Sequence, residues 1–231
     1  MSKPRLLDLF CGAGGAAMGY SRAGFEVVGV DIEPQPHYPF EFIQCDALNF
    51  LLDIWEDEEG RGAQFDAVHA SPPCHDHTTL SPKRDGTANL LCETIELLKQ
   101  IGLPWVCENV VGKSVKMDGW YFTLCGSQFG MQVRRHRRFG ASFMVMPMRC
   151  AHSLQGRPYT ITGNGGGYIE YAHSLKPDKE DFWKFMNMPW MEGKDQYGVT
   201  QALPPDYTEF IGAQLLQHLG QPLSSPVKEG E

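Results

Sequence analysis

The sequence predicts an α/β fold, a mostly parallel sheet with helices on both faces, plus a small irregular insert. Three observations carry this. Through the first half, short strand-like apolar runs alternate with helix-like runs, the pattern of βαβ units. A glycine-rich turn, Gly12-Ala13-Gly14-Gly15, separates the first strand from the first helix. From residue 144 the regularity gives way to a stretch rich in Gly, Pro, Met and Tyr that includes Gly163-Asn164-Gly165-Gly166-Gly167.

Taken in order, residues 5–10 form a strand-length run containing Leu6, Leu7, Leu9 and Phe10. A helix of small residues follows the glycines and reaches Ala23. Residues 26–31 make a second strand ending on Asp31, and residues 42–45 a short third. Residues 50–58 read as an acidic helix. Residues 65–70 make a fourth strand that runs into a proline-rich loop. Residues 89–101 place Leu90, Leu91, Ile95 and Leu98 at helical spacing, and residues 105–108 make a fifth strand. Residues 181–188 and 206–219 read as closing helices, and 220–231, with two Pro and two Ser, as a frayed tail.

A chain of 231 residues is one domain, or one with a small appendage. With 42% hydrophobic and 21% charged residues it can bury a sizeable core, which excludes disorder as its main state. No apolar run approaches the ~18 residues of a membrane span. The first strand starts almost at once, leaving no room for a signal peptide. Seven cysteines without a Cys-x-x-Cys pair exclude zinc ribbons and thioredoxin-like sites and point to reduced thiols in a cytoplasm. The net charge of −8 argues against coating nucleic acid by bulk charge, but leaves room for a local basic patch.

The glycine turn lets the backbone approach a ligand closely, and the helix behind it offers free amides to an anionic group. Asp31, nineteen residues after Gly12, can accept hydrogen bonds from both hydroxyls of a ribose. Asp46, ending the third strand, can take an adenine amino group. A nucleoside-containing cofactor follows. The pattern alone does not choose between a nicotinamide dinucleotide and S-adenosylmethionine.

The fourth strand leads into Ser71-Pro72-Pro73-Cys74-His75-Asp76-His77. In a parallel sheet, reactive groups gather at the carboxyl ends of the strands, so Cys74 stands where a nucleophile belongs, behind two prolines that stiffen its loop. A metal is not expected at this run, because adjacent residues diverge and no second ligand cluster completes it. Glu108, ending the fifth strand, falls at the same edge and can hydrogen-bond or protonate a ring nitrogen. Arg134-Arg135-His136-Arg137-Arg138 stands out in an acidic chain. On an extended segment Arg135 and Arg137 share one side, suited to phosphate, carboxylate or a base oxygen.

While the closing stretch Thr200-Gln201-Ala202-Leu203-Pro204-Pro205-Asp206-Tyr207-Thr208 resembles compact, phage-type members of the cytosine-5 DNA methyltransferases, it is this ordered set as a whole that resembles the family. The set comprises Asp8-Leu9-Phe10-Cys11-Gly12-Ala13-Gly14-Gly15, Asp31, Asp46, Pro73-Cys74, Glu108-Asn109-Val110 and Arg135-x-Arg137. The resemblance implies a Rossmann-like fold and transfer of a methyl group from S-adenosylmethionine to carbon 5 of cytosine in DNA. It implies that Cys74 attacks carbon 6 of a flipped base, with Glu108, Arg135 and Arg137 completing the catalytic group. It assigns the cofactor to Asp8, Phe10, Gly12, Gly14, Gly15, Asp31, Ile32, Asp46, Ala47 and Pro73. Residues 1–143 become the cofactor-binding catalytic domain, 144–180 a small target-recognition insert, 181–219 the closing helices and 220–231 a flexible tail. Cytosine-containing DNA is the expected partner, of a monomer in the cytoplasm, or in a host cell's cytoplasm if the gene is a phage's. A nicotinamide oxidoreductase is one rival reading, and it leaves Cys74, Glu108 and the arginines unexplained. A catalytically altered DNA-binding relative is the other.

Overall fold

The computed structural model describes residues 2–56, 64–73, 90–112, 116–161, 175 and 178–220. Seven strands among them form one sheet in the order β3-β2-β1-β4-β5-β7-β6. They are β1 (Arg5–Leu9), β2 (Glu26–Asp31), β3 (Glu41–Gln44), β4 (Ala67–Ala70), β5 (Trp105–Val110), β6 (Trp120–Leu124) and β7 (Arg137–Ala141). β1 to β5 pair in parallel, while β7 pairs antiparallel with both β5 and β6. The chain builds outward from β1 to β3, then returns to the other side of β1 for β4 and β5. This reversal opens a crevice at the carboxyl ends of β1 and β4, where ligands sit in such sheets.

Helices cover both faces. Leu7, Leu9, Val28, Val30, Val68 and Cys107 point to one face, under α2 (Ala47–Trp55) and α3 (Leu90–Gln100). Leu6, Val27, Ala67, Val106 and Phe139 point to the other, under α1 (Gly15–Ala23) and α6 (Pro205–His218). Period-two alternation along each strand feeds both cores, as a sheet buried on both faces requires. A third cluster joins Ala13 of the glycine turn to Val133, Ile161, Phe182, Met186, Met188, Met191 and Val199. It packs the closing segment onto the region of the crevice.

Element boundaries shift for local reasons. α2 starts at Ala47 because the Asp46 carboxylate caps it, accepting the Asn49 N–H at 2.9 Å. Asp46 is therefore a helix cap rather than a strand end. The expected helix at 181–188 is only α4 (Phe182–Phe185), because Asn187 takes a positive φ of 57° and Pro189 begins a separate turn. α5 (Gln196–Gln201), which no apolar period announces, exists because Asp195 caps it through the Tyr197 and Gly198 N–H groups. β6 and β7 were not resolved as strands from the sequence either. They form an antiparallel edge that the βαβ pattern does not announce. In the 144–180 stretch the described residues hold no strand or α-helix; isolated bridges join Val133 to Tyr159 and Tyr159 to Leu175. No helix among the described residues is long and apolar enough to cross a membrane. Gly163–Gly167 and residues 221–231 lie outside the described residues.

Candidate active site at the carboxyl edge of the sheet

The β1 turn is built by backbone geometry that few residues tolerate. Phe10 adopts φ 57° and Gly12 φ 49°, both left-handed. Strain of this kind at a non-glycine residue persists only where surrounding structure enforces it. A Cβ on Gly12 would meet nothing within 4 Å, so this glycine faces open space. Gly15 differs. Its Cβ would lie 2.0 Å from the Leu203 carbonyl oxygen, so its task is close packing of α1 against the closing segment. The same segment is fastened by Trp190 Nε1 donating to the Ala13 carbonyl at 3.0 Å and Thr208 Oγ1 donating to the Ala16 carbonyl at 2.8 Å.

Asp31 ends β2 beside this turn. Its Oδ2 accepts the Gly12 N–H at 2.9 Å and its Oδ1 accepts the Glu33 N–H at 3.0 Å. Each carboxylate oxygen can accept more than one bond, so the side chain is held in place with capacity left for hydroxyl donors. Ile32, next along, is 60% exposed, an apolar surface beside that acid. Ala47 is buried behind Asp46 at the start of α2. Asp8 is wholly buried in β1, and burial pushes its carboxyl up to about 8. Tyr38 Oη donates to Asp8 Oδ2 at 3.4 Å, while Oδ1 has no hydrogen-bond partner. The Tyr38 ring lies where a side chain on Gly29 would be, which explains a lone glycine within a valine-rich strand.

The β4 loop and the end of β5 are tied together. Asn109 is buried, its Nδ2 donates to the Pro72 carbonyl at 3.0 Å, and its Oδ1 accepts the Val110 N–H at 2.9 Å. Pro72 is buried and Pro73 exposed, so the backbone leading toward Cys74 is fixed from below. Cys74 itself, with His75, Asp76 and His77, lies outside the described residues.

Glu108 is 8% exposed, and desolvation raises its carboxyl above the ordinary range, opposed by Arg137 and Arg135. Arg137 Nε stands 3.1 Å from Glu108 Oε1 as an ion pair, yet that oxygen has no aligned hydrogen bond. Register explains the contact: Glu108 faces Phe139 across the β5–β7 pair, and Arg137 is two residues along on the same face. A buried chain reaches Glu108 from beneath. Tyr20 Oη lies 3.1 Å from His69 Nδ1, His69 Nε2 lies 2.9 Å from Ser71 Oγ, and Ser71 acts to lower the neighbouring Glu108 carboxyl. Burial drives the His69 ring down to about 3, so it is neutral, with one donor and one acceptor. The two His69 contacts are satisfied when Tyr20 donates to Nδ1 and Nε2 donates to Ser71.

The C-5 cytosine-specific DNA methylase family model matches residues 4–119, half of the chain. The chain belongs to that family. Type II methyltransferase M.XorII of Xanthomonas oryzae is 30% identical over 243 residues, covering 91% of this chain and 54% of its own length. The chain thus matches about half of M.XorII. Type II methyltransferase M.HgiGI of Herpetosiphon aurantiacus is 31% identical over 119 residues, covering 46% of this chain and 90% of its own. Among solved structures, a prophage-encoded E. coli protein assigned as a DNA modification methyltransferase superposes with a TM-score of 0.62 at 15% identity, covering 94% of this chain and all of that one. S. pombe Dnmt2 methyltransferase superposes with a TM-score of 0.59 at 13% identity, over 94% of this chain and 99% of its own. Such structural likenesses extend the Rossmann-like fold over nearly the whole chain.

Within this family member the arginine pair divides. Arg137 meets Glu108, as alternation on an extended segment expects. Arg135 instead gives Nη2 to the Thr200 carbonyl at 2.6 Å and Nη1 to the Ile161 carbonyl at 3.3 Å. Its charge still acts on Glu108, but its hydrogen bonds hold the closing segment. The reason is position: Arg135 precedes β7, and Tyr207 Oη of α6 donates to its carbonyl at 2.6 Å, which sets this backbone against the closing segment. Asp31, Asp46, Phe10 and the glycines come together around the β1 crevice, with Pro73 on the neighbouring loop. The sequence reading did not single out Tyr38, His69, Ser71 or Asn109 as site residues. Gly29 signalled Tyr38 and the Glu108-Asn109-Val110 run signalled Asn109, whereas nothing local marks His69 as the link between Tyr20 and Ser71.

Proposed function

We propose that the chain transfers the methyl group of S-adenosylmethionine to carbon 5 of cytosine in DNA, through a covalent Cys74 adduct on a base flipped out of the duplex. The observation that carries this is Glu108: a buried carboxyl with a raised pKa, an oxygen open to a donor, Arg137 against it, and a tethered Pro72–Pro73 loop beside it.

The β1 crevice fits the cofactor. Gly12 leaves a cradle without side chain, Asp31 keeps acceptor capacity for ribose hydroxyls, and Ile32 offers an exposed apolar contact. The capping carboxylate of Asp46 is a further acceptor on that edge. Bound there, S-adenosylmethionine supplies an electrophilic methyl group.

The residues of the chain do the rest. The Cys74 thiolate adds to cytosine carbon 6, and the electrons of the 5,6 double bond make carbon 5 nucleophilic. Protonated Glu108 donates to ring nitrogen 3, while its other oxygen accepts from the exocyclic amino group. The charge that addition places on the ring is thereby neutralised in a desolvated site. Arg137 steadies Glu108 and stands ready for the base oxygen. After methylation a base removes the carbon-5 proton and Cys74 leaves by elimination. The target is out of reach within a stacked duplex, so flipping precedes chemistry. A DNA-modifying role of this kind suits a cytoplasmic monomer, or a phage product in its host's cytoplasm.

Labelled methyl transfer tests the reading. Wild-type chain should label cytosine-containing DNA. Cys74→Ala should abolish transfer while leaving S-adenosylmethionine affinity unchanged. No label from the wild type, or turnover retained in Cys74→Ala, overturns it.

A further inference from the structure

We propose that Cys125, His136, Cys150 and His152 form a structural zinc site that fastens the irregular stretch after β7 to the connection between β6 and β7. One ligand atom from each residue lies within 4.8 Å of all the others. Cys125 Sγ is 3.3 Å from His152 Nε2, and Cys150 Sγ is 3.7 Å from His136 Nε2. In a tetrahedral site with metal–sulfur ~2.3 Å and metal–nitrogen ~2.05 Å, sulfur–nitrogen edges measure about 3.5 Å. The two measured edges bracket that value. The histidine rings stand edge to face, centroids 5.2 Å apart at 90°, an arrangement in which both can aim a nitrogen inward.

The donor set selects the ion. Two thiolates and two imidazoles in tetrahedral array suit zinc over the oxygen-seeking calcium and magnesium. Binding releases the two thiol protons to solvent, and the two thiolate charges balance the dication. Four protein ligands leave no open position, so the site is structural rather than catalytic. Cys150 is exposed and the histidines half-buried, which gives an ion a route in.

The surroundings support a metal over a buried inert thiol. Cys125 Sγ has Ser127 Oγ and the Arg134 carbonyl oxygen at 3.2 Å, besides His152. A neutral thiol would give its proton to the Arg134 carbonyl and accept from Ser127; what favours a metal is that three further ligand atoms converge on the same sulfur. Ser127 Oγ accepts the Ala151 N–H at 3.1 Å, which leaves its own proton for the Cys125 sulfur. That hydroxyl therefore links the two arms of the site, as outer partners of metal ligands do.

The fold shows why a staple is useful here. Between β7 and residue 161 no helix or longer strand forms, and Met144, Met146, Met148 and Leu154 are exposed. Phe143 and Val145 are buried, but none of residues 146–157 is, so burial does little to hold the part that carries Cys150 and His152. The site also brackets the arginines: His136 lies between Arg135 and Arg137, so an ion there fixes the backbone that delivers Arg137 to Glu108. The expectation of no metal rested on the missing Cys-x-x-Cys pairs and on residues 74–77. This tetrad comes from positions that only the fold gathers.

The test is metal content of the full chain, expressed with zinc and purified under reducing conditions. Elemental analysis should give about one zinc per chain. Cobalt(II) exchange should give tetrahedral d–d bands with a thiolate charge-transfer band. Cys150→Ser and His152→Ala should each lower zinc to below about a tenth of an equivalent, whereas Cys92→Ser, exposed on α3, should retain it. Should the variants fail to fold, chelation of the wild type should raise protease cleavage within 142–155, and added zinc should reverse it. Wild type with less than about a tenth of an equivalent, undiminished zinc in a Cys125→Ser, Cys150→Ser double variant, or unchanged cleavage on chelation overturns the proposal. Metal content is read without any methyl transfer, so its failure and failure of the proposed activity are separate results.

Discussion

Replacing Asn109 tests whether the end of β5 holds the loop before Cys74. The side chain is 1% exposed and spans two backbone groups, the Pro72 carbonyl at 3.0 Å and the Val110 N–H at 2.9 Å. Asn109→Ala strips both partners. A buried group left unsatisfied costs ~1–3 kcal/mol, and water can reach half-buried Val110 but not the Pro72 carbonyl, so the expected loss of stability is about 1–3 kcal/mol. Asn109→Asp discriminates further. It keeps an acceptor for Val110 but sets a carboxylate oxygen against the Pro72 carbonyl oxygen, so it should be no more stable than the alanine variant. Released from Asn109, the Pro72–Pro73 loop drifts, and a misplacement of ~1 Å at a reacting group costs about 10²-fold in rate. Urea unfolding measures the first effect. Turnover in labelled methyl transfer, alongside cofactor titration, measures the second. Turnover should fall while cofactor affinity holds, because the β1–β2 side is untouched. Stability within ~0.5 kcal/mol of wild type together with full turnover would refute the tether.

Three other outcomes follow from the geometry. Gly15→Ala drives a Cβ to 2.0 Å from the Leu203 carbonyl oxygen, backbone that cannot swing aside, so thermal unfolding should show a loss of ~1–3 kcal/mol or more, with weaker cofactor binding; an unshifted midpoint refutes the contact. Asp8 is held protonated to about 8 when folded, against 3.8 ordinarily, so between these values the unfolded chain gives up a proton that the folded chain keeps. Stability then falls as pH rises through that window, and Asp8→Asn should gain melting temperature on wild type more at about pH 8 than at about pH 5; equal gains refute it. Glu108 acts as a proton donor with a raised pKa, so kcat/KM should fall as pH rises through that value, and Glu108→Gln should lose this dependence along with most activity; an unchanged pH profile in the variant refutes the role.

How far the site was legible depends on what kind of contact makes it. Phe10, Gly12 and Asp31 could be placed from the chain because a strand, a tight turn and a strand-end acid are local features of fixed period. Glu108 and Pro73 could be placed because parallel strands bring their carboxyl ends to one edge. Asn109 and Tyr38 left only faint traces, an amide beside a strand-end acid and a glycine inside a strand. His69 left none, since its links to Tyr20 and Ser71 depend on which residues the sheet stacks beneath the crevice.

Residue order alone carries the alternating parallel architecture, the glycine turn with its spaced acid, and the family resemblance, because each is written in short-range periodicity or spacing. Tertiary structure alone decided that Gly15 serves packing against Leu203 while Gly12 faces open space. It also decided that Arg137 meets Glu108 while Arg135 is drawn to Thr200 and Ile161. Cys125, His136, Cys150 and His152 converge only because β7 runs antiparallel between β5 and β6 and the chain doubles back beside it. Backbone register and chain reversal set which side chains meet across long loops, and no local pattern encodes them.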